Sequence, residues 1–302
     1  MTFEQKMKNL SVPQGRIDVV LDTDAYNEID DQFAIAYMIK SDEKLDVQAI
    51  YAAPFHNGNS SGPKDGMEKS YNEIFKILKL IGKEYPVFEG STGWLQNDKT
   101  PIVSPAAEDL VARAKNYSPD KPLYVVAIGA ITNVASALLI DPSIKDNIVV
   151  VWLGGHSLEF HDTREFNMAQ DFSAARAVMG SGVPFVQLPC AGVVSQFTVS
   201  RPDLETYFKG RNALGDYLAD NTIRAAESYA AGTPWTRVIW DVTAVAWLLN
   251  DDNRFMMSRV IPTHMPNYDG QYNLCPNGDF MRYVFYIERD QLMTDLVKKI
   301  TK

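Results

Sequence analysis

The stretch Ile17–Asp31 reads IDVVLDTDAYNEIDD. Of its first five residues, Ile17 to Leu21, all but Asp18 are apolar and three are β-branched, as a largely buried strand requires. The segment Asp30 to Ile39 then reads as a helix, and the loop between them carries Asp22 and Asp24 ahead of Asp30 and Asp31. A strand, an acidic turn and a helix in that order form the opening unit of an α/β protein.

The same alternation runs outward through the chain. Strand-like runs fall at Val47 to Ala53, Pro86 to Phe88, Leu123 to Ile128, Ile148 to Leu153, Val183 to Leu188 and Arg282 to Ile287. Between them Met67, Tyr71, Ile74, Leu78 and Ile81 share one helical stripe. Further helices are expected over Ala106 to Lys115, Asn133 to Leu139, Ser173 to Met179, Asn212 to Ala231, Val242 to Leu249 and Asp290 to Ile300. The pattern predicts an α/β fold with a mostly parallel open sheet covered by helices on both faces. Loops are expected over Asn57 to Gly66, Gly90 to Pro105 and Asn250 to Phe280, none polar enough to be a linker. The chain therefore reads as an N-terminal extension, residues 1–15, and a single domain, residues 16–302.

Composition narrows the function classes. With 302 residues, 46% hydrophobic and 22% charged, the chain can bury a large core. A formal net charge of −9 leaves no basic footprint for nucleic acid or an anionic membrane, but suits a cation or an uncharged small molecule. No run approaches the roughly 20 apolar residues of a membrane span, and the N-terminus lacks the apolar stretch of a secretory signal. The only cysteines, Cys190 and Cys275, offer neither a disulfide framework nor zinc spacing, so a cytoplasmic location is the simplest expectation.

In open α/β sheets ligands bind beyond the carboxyl ends of the strands. Four carboxylates crowded after the first strand repel one another, and a cation relieves that cost. Oxygen donors without His or Cys select calcium or magnesium, although Tyr26 breaks EF-hand spacing. Later strand ends carry His56 and Asn57, Thr132 and Asn133, and Gly154 and Gly155, followed by Glu165 with Asn167 and by Trp240 with Asp241. Each has an ordinary alternative: Thr132, Asn133 or Asp241 as a helix cap, the glycine pair as a turn, Glu165 as a loop acid, Trp240 as core.

Taken in order, DTD with the following DD, IGAITNVASAL, LGG followed by REFNMAQDFSAA, and Trp240–Asp241 resemble the nucleoside hydrolase family, including its inosine-uridine preferring and purine-specific members. The resemblance spans roughly Ile17 to Leu249 and implies that family's fold with its Rossmann-like core. It also implies a calcium-dependent hydrolase that splits ribonucleosides into free base and ribose. Carried over by position, it makes Asp24, Asp31 and Asp241 calcium ligands together with the backbone carbonyl of Thr132. Asp24 becomes the general base, and Asp30, Asn57, Glu165 and Asn167 hold the sugar. Trp240 stands where other members place a histidine, and purine-specific members a tryptophan that stacks on the base; Trp94 is a candidate for a second stacking ring. The resemblance further implies a nucleoside as the partner and a homodimer or homotetramer.

Two departures bear on specificity. The turn between Asp24 and Asp30, Ala25 to Ile29, is longer than the family's Pro-Gly turn, so Asn27 and Glu28 reach either the sugar or the ground beneath the metal. The stretch from Gly155 to Glu165 is short, with Glu159 near where the family carries an asparagine that contacts the sugar, and His56, His156 and His161 are candidates for contacts around the leaving group. Two competing readings remain at this level. VVLDTDA also fits the start of a magnesium-dependent haloacid dehalogenase-like phosphohydrolase with Asp22 as nucleophile, but no lysine is well placed for a phosphate. A non-catalytic riboside- or sugar-binding protein would keep the fold and metal while having no need of Asp24 as a base.

Overall fold

A computed structural model describes residues 1–302. The strands are β1 (Ile17–Thr23), β2 (Leu45–Ala52), β3 (Val87–Glu89), β4 (Leu123–Ala127), β5 (Ile148–Leu153), β6 (Phe185–Leu188), β7 (Thr198–Ser200), β8 (Thr236–Val238), β9 (Met256–Pro262), β10 (His264–Pro266), β11 (Tyr272–Leu274) and β12 (Phe280–Ile287). The helices are α1 (Phe3–Asn9), α2 (Asp31–Ile39), α3 (Pro63–Ile81), α4 (Pro105–Ala114), α5 (Thr132–Ile140), α6 (Phe166–Gln170), α7 (Phe172–Gly180), the single turn α8 (Arg201–Asp203), α9 (Ala213–Ala230), α10 (Val242–Leu248) and α11 (Arg289–Ile300).

Eight strands form one sheet in the order β3-β2-β1-β4-β5-β6-β12-β9. Every pairing is parallel except that of β12 with β9. Alternating side chains divide between two apolar layers: Val19 and Leu21 enter one, Val20 the other, and β5 splits likewise into Val149 with Val151 and Val150 with Trp152. The first layer packs under α2, α3, α9, α10 and α11, the second under α4, α5 and α7. Each fully buried aliphatic side chain contributes roughly 1.5–3 kcal/mol. The expected fold class is therefore the observed one.

All nine residues of α2 and all seven of α10 are buried. A helix enclosed on every side carries no polar stripe, which is why both are apolar apart from Asp31 and Gln32 at the start of α2 and Thr243 in α10. The two helices pack against each other. Their N-termini consequently meet at the carboxyl ends of β1 and β4. There the strand order turns from β1-β2-β3 on one side to β4-β5-β6 on the other, and a crevice opens.

The expected long loop at Asn250 to Phe280 instead contains the edge strand β9 and the β10–β11 hairpin. In β9 the sequence MMSRVIP mixes Ser258 and Arg259 with apolar residues because one face of an edge strand meets solvent. That mixture hid it. The first fifteen residues include α1, which docks on the domain: Gln5 and Asn9 donate to the Pro119 carbonyl at 2.8 and 3.0 Å. No helix is long and apolar enough to cross a membrane.

Candidate active site

β1 delivers Asp22 and then Asp24 to the crevice, and α2 begins with Asp30 at its N-cap and Asp31 in its first turn. Asp241 occupies the N-cap of α10. Neither Asp30 nor Asp241 makes a side-chain capping bond, so the ordinary N-cap role for Asp241 is not the one it performs. Ligand oxygens of Asp30, Asp31 and Asp241 all lie within 4.8 Å of one another. The Asp241 backbone N–H donates to Asp30 Oδ2 at 3.3 Å, tying together residues 211 positions apart.

The hydrogen bonding around this cluster is incomplete. Both oxygens of Asp24 and Oδ2 of Asp31 are buried without a partner. Asp22 Oδ1 accepts from Asn133 Nδ2 at 2.7 Å, while its Oδ2 is equally unpartnered. Asp24 fits only because residue 129 is glycine: a Cβ there would lie 2.9 Å from the Asp24 carboxyl carbon. Unpaired buried oxygens cost on the order of 1–3 kcal/mol each, and more when charged.

Burial, reinforced by Asp31 and Asp30, holds the Asp24 carboxyl well above the usual carboxylate range. Burial and then Asp30, Asp31 and Asp24 do the same to Asp241. Asp31 is pushed up to about 6 by burial against the opposing hydrogen bond from Thr23, and Asp22 to about 7 by burial against Asn133. Four buried acids that resist joint ionisation, three of them (Asp22, Asp24 and Asp31) with unpartnered oxygens, fit a hard divalent cation, whose charge would favour the ionised forms.

A cavity of about 210 Å³ reaches this cluster at Asp30 and Asp241, while Asp22, Asp24, Asp31 and Thr132 are not among its lining residues. Asp30, Asp241, Glu165, Asn167 and Trp240 line it, together with Asn27, Glu28, Ile128, Leu153, His156, Phe166 and Cys190. A floor of acids and a wall bearing an indole are the components required to hold a polar sugar beside a flat aromatic group.

The sequence matches the family model described as inosine-uridine preferring nucleoside hydrolase over residues 19–274. The chain belongs to this nucleoside hydrolase family. It is thereby placed among hydrolases acting on N-glycosyl compounds, and the phosphohydrolase reading of VVLDTDA falls away. The chain is 27% identical to the non-specific ribonucleoside hydrolase RihC of Salmonella agona (strain SL483) over 262 residues, which are 78% of this chain and 79% of that protein. A purine-preferring ribonucleoside hydrolase from Gardnerella vaginalis superposes with a TM-score of 0.75 at 21% identity, covering 94% of this chain and 98% of that one. The inosine-uridine preferring nucleoside hydrolase from Bacillus anthracis gives 0.70 at 15% identity, covering 94% and 99%. At these identities the two superpositions show the shared fold.

Within this nucleoside hydrolase family member the remaining sequence candidates fall into two groups. Glu165 caps α6, its oxygens accepting from the N–H groups of Gly155, Asn167 and Met168 at 2.9 to 3.0 Å. Asn167 gives both amide hydrogens to the Ile128 and Leu153 carbonyls at 3.0 Å, so its Oδ1 is the amide's remaining acceptor. Thr132, the first residue of α5, donates from Oγ1 to Asp171 Oδ2 at 2.8 Å.

Asn57 and Trp94 do not line the cavity. Asn57 donates to Asn27 Oδ1 at 2.7 Å and lines a neighbouring cavity of about 520 Å³, behind the longer turn. Trp94 is half-buried in the loop after β3, where the next residue, Leu95, donates its N–H to Asp171 Oδ2 at 2.9 Å. The longer turn thus brings Asn27 and Glu28 to the cavity wall, and Glu28 pairs with Arg237 at 2.6 Å. Ile128, Leu153 and Cys190 were missed among the lining residues. All three sit at or just past the ends of β4, β5 and β6, so the strand-end rule finds them once apolar residues are admitted.

Proposed function

We propose that this protein hydrolyses the N-glycosidic bond of ribonucleosides, purine ribosides in preference, using calcium held by Asp24, Asp31, Asp241 and the backbone carbonyl of Thr132. The observation that carries the reading is the cluster of buried aspartates with unpartnered oxygens beneath the cavity that Trp240 lines. Membership of the family supplies the reaction class. The name of the purine-preferring Gardnerella enzyme and the tryptophan before Asp241 both favour a purine.

Bound there, calcium would supply positive charge that keeps the carboxylates ionised and would make a neighbouring water more acidic. Asp24 then takes a proton from the water that attacks the anomeric carbon, its carboxylate being held without another partner for that purpose. Asp30 accepts a sugar hydroxyl, and Glu165 with the Asn167 Oδ1 adds acceptors on the opposite wall. Holding the sugar between these groups aligns the anomeric carbon and removes much of the entropic cost of attack. Trp240 stacks on the base, an interaction of about 1–3 kcal/mol that any flat base receives and the larger purine receives most.

The test measures free base and sugar released from a panel of purine and pyrimidine nucleosides, with calcium and after chelation, for wild type, Asp24→Ala and Trp240→Ala. Calcium-dependent release with purines ahead, abolished in Asp24→Ala and with the purine advantage lost in Trp240→Ala, is expected. Calcium and riboside binding without release would instead identify a binder.

A further inference from the structure

Cleavage leaves a purine or pyrimidine anion, a poor leaving group unless a hydrogen-bond donor meets the charge as it develops. The position before Asp241 cannot supply an imidazole, because it is Trp240. Of the four histidines, His56 and His161 are exposed, bonded to Ser60 and paired with Asp162 respectively, and His264 lies beyond β9 against Pro262. His156 alone lines the cavity.

Its placement is built in. Gly155 turns the chain at φ +75°, its N–H held by Glu165 and its carbonyl accepting from Cys190 at 2.8 Å. The His156 carbonyl accepts from the hydroxyl of half-buried Tyr272 at 3.2 Å, and the next residue, Ser157, donates its N–H to the Ala191 carbonyl at 3.0 Å. The ring lies beside Phe160, centroids 5.3 Å apart, and Nδ1 accepts the Ala191 N–H at 3.4 Å. An imidazole whose Nδ1 is an acceptor carries its proton on Nε2. Burial lowers its pKa, favouring that neutral form, and the charged groups acting on it are Asp162 and His161 rather than the floor aspartates.

We propose that the Nε2–H of His156 donates a hydrogen bond to the departing base. This inference rests on the nucleosidase reading and assigns its leaving-group contact. As the bond from the anomeric carbon to the base nitrogen breaks, its electron pair passes to the base, and the Nε2–H meets that negative charge at a ring nitrogen or carbonyl oxygen. Water oxygen bonds to the anomeric carbon, its proton goes to Asp24, and the base anion takes a proton from solvent after departure.

The experiment compares wild type, His156→Phe and His156→Gln on inosine and on 4-nitrophenyl β-ribofuranoside, whose phenolate departs unaided. His156→Phe keeps the ring packing without a donor; His156→Gln keeps an amide N–H. Expected for His156→Phe are a fall in kcat on inosine of about 100-fold, typical of losing one such donor, less than a threefold change on the nitrophenyl riboside, and partial recovery in His156→Gln. Equal losses on both substrates, or no loss on either, overturn the assignment, and matching thermal melts separate it from misfolding. A wild type inert on both substrates sinks the nucleosidase reading itself.

Discussion

Thr23 Oγ1 donates to Asp31 Oδ1 at 2.5 Å, so the last residue of β1 satisfies one oxygen of an acid on α2 and leaves the other, Oδ2, without a protein partner. Half of the carboxylate is anchored and half is available. Thr23→Val keeps the shape and removes the donor. In chelator the variant is expected to lose about 1–3 kcal/mol of stability, the cost of stripping a buried acceptor of its partner. Urea unfolding measures it, and an unchanged midpoint and slope would refute the anchoring role.

Asp24 poses the opposite case, since both its oxygens lack partners and three neighbouring aspartates repel its charge. Asp24→Asn removes that repulsion. The chelated variant is expected to melt above chelated wild type, to show little further rise on adding calcium, and to lose about 10³-fold in activity as a general base is removed. Paired thermal melts with and without calcium decide it; a variant that melts lower in chelator contradicts the electrostatic account.

Arg237 pairs with Glu28 at 2.6 Å and also acts on Asp30, lowering the pKa of that otherwise elevated acid. Arg237→Ala leaves Glu28 uncompensated on the cavity wall and takes a positive charge from the neighbourhood of the metal site. Calcium affinity is expected to rise a few-fold at low ionic strength and to converge on wild type at high salt, as screening requires. Titration calorimetry at two salt concentrations checks both parts.

His156 sets a pH dependence whose sign follows from its lowered pKa. The unfolded chain binds a proton near pH 6.5 while the folded protein resists doing so. Its contribution to stability is thus present above the unfolded value and is lost as pH falls through the folded one. His156→Phe has no such proton to bind. Its stability is expected to decline less steeply than that of wild type between pH 7 and pH 5, as read from denaturation midpoints across that range; parallel declines would count against it.

The sequence by itself determined the α/β class, the central parallel strands and the acidic cluster. Those features are local: buried runs such as Val149 to Val151 need continuous apolar residues, and Asp22, Asp24, Asp30 and Asp31 lie within ten positions of one another. It determined less at the margins, where β9 exposes one face and the three-residue strands β7, β8, β10 and β11 are too short for a period to emerge. Only the tertiary structure decided which side chains meet. The packing of α2 against α10 brings Asp241 beside Asp30 and Asp31, and the longer turn puts Asn27 between Asn57 and the cavity. The contacts of the turn after β5 with Ala191, Cys190 and Tyr272 single out His156 among three candidate histidines that look alike in the chain. Residue type announces what chemistry a position can perform, but whether its donors and acceptors are already spent on the backbone is settled by contacts between segments far apart in sequence.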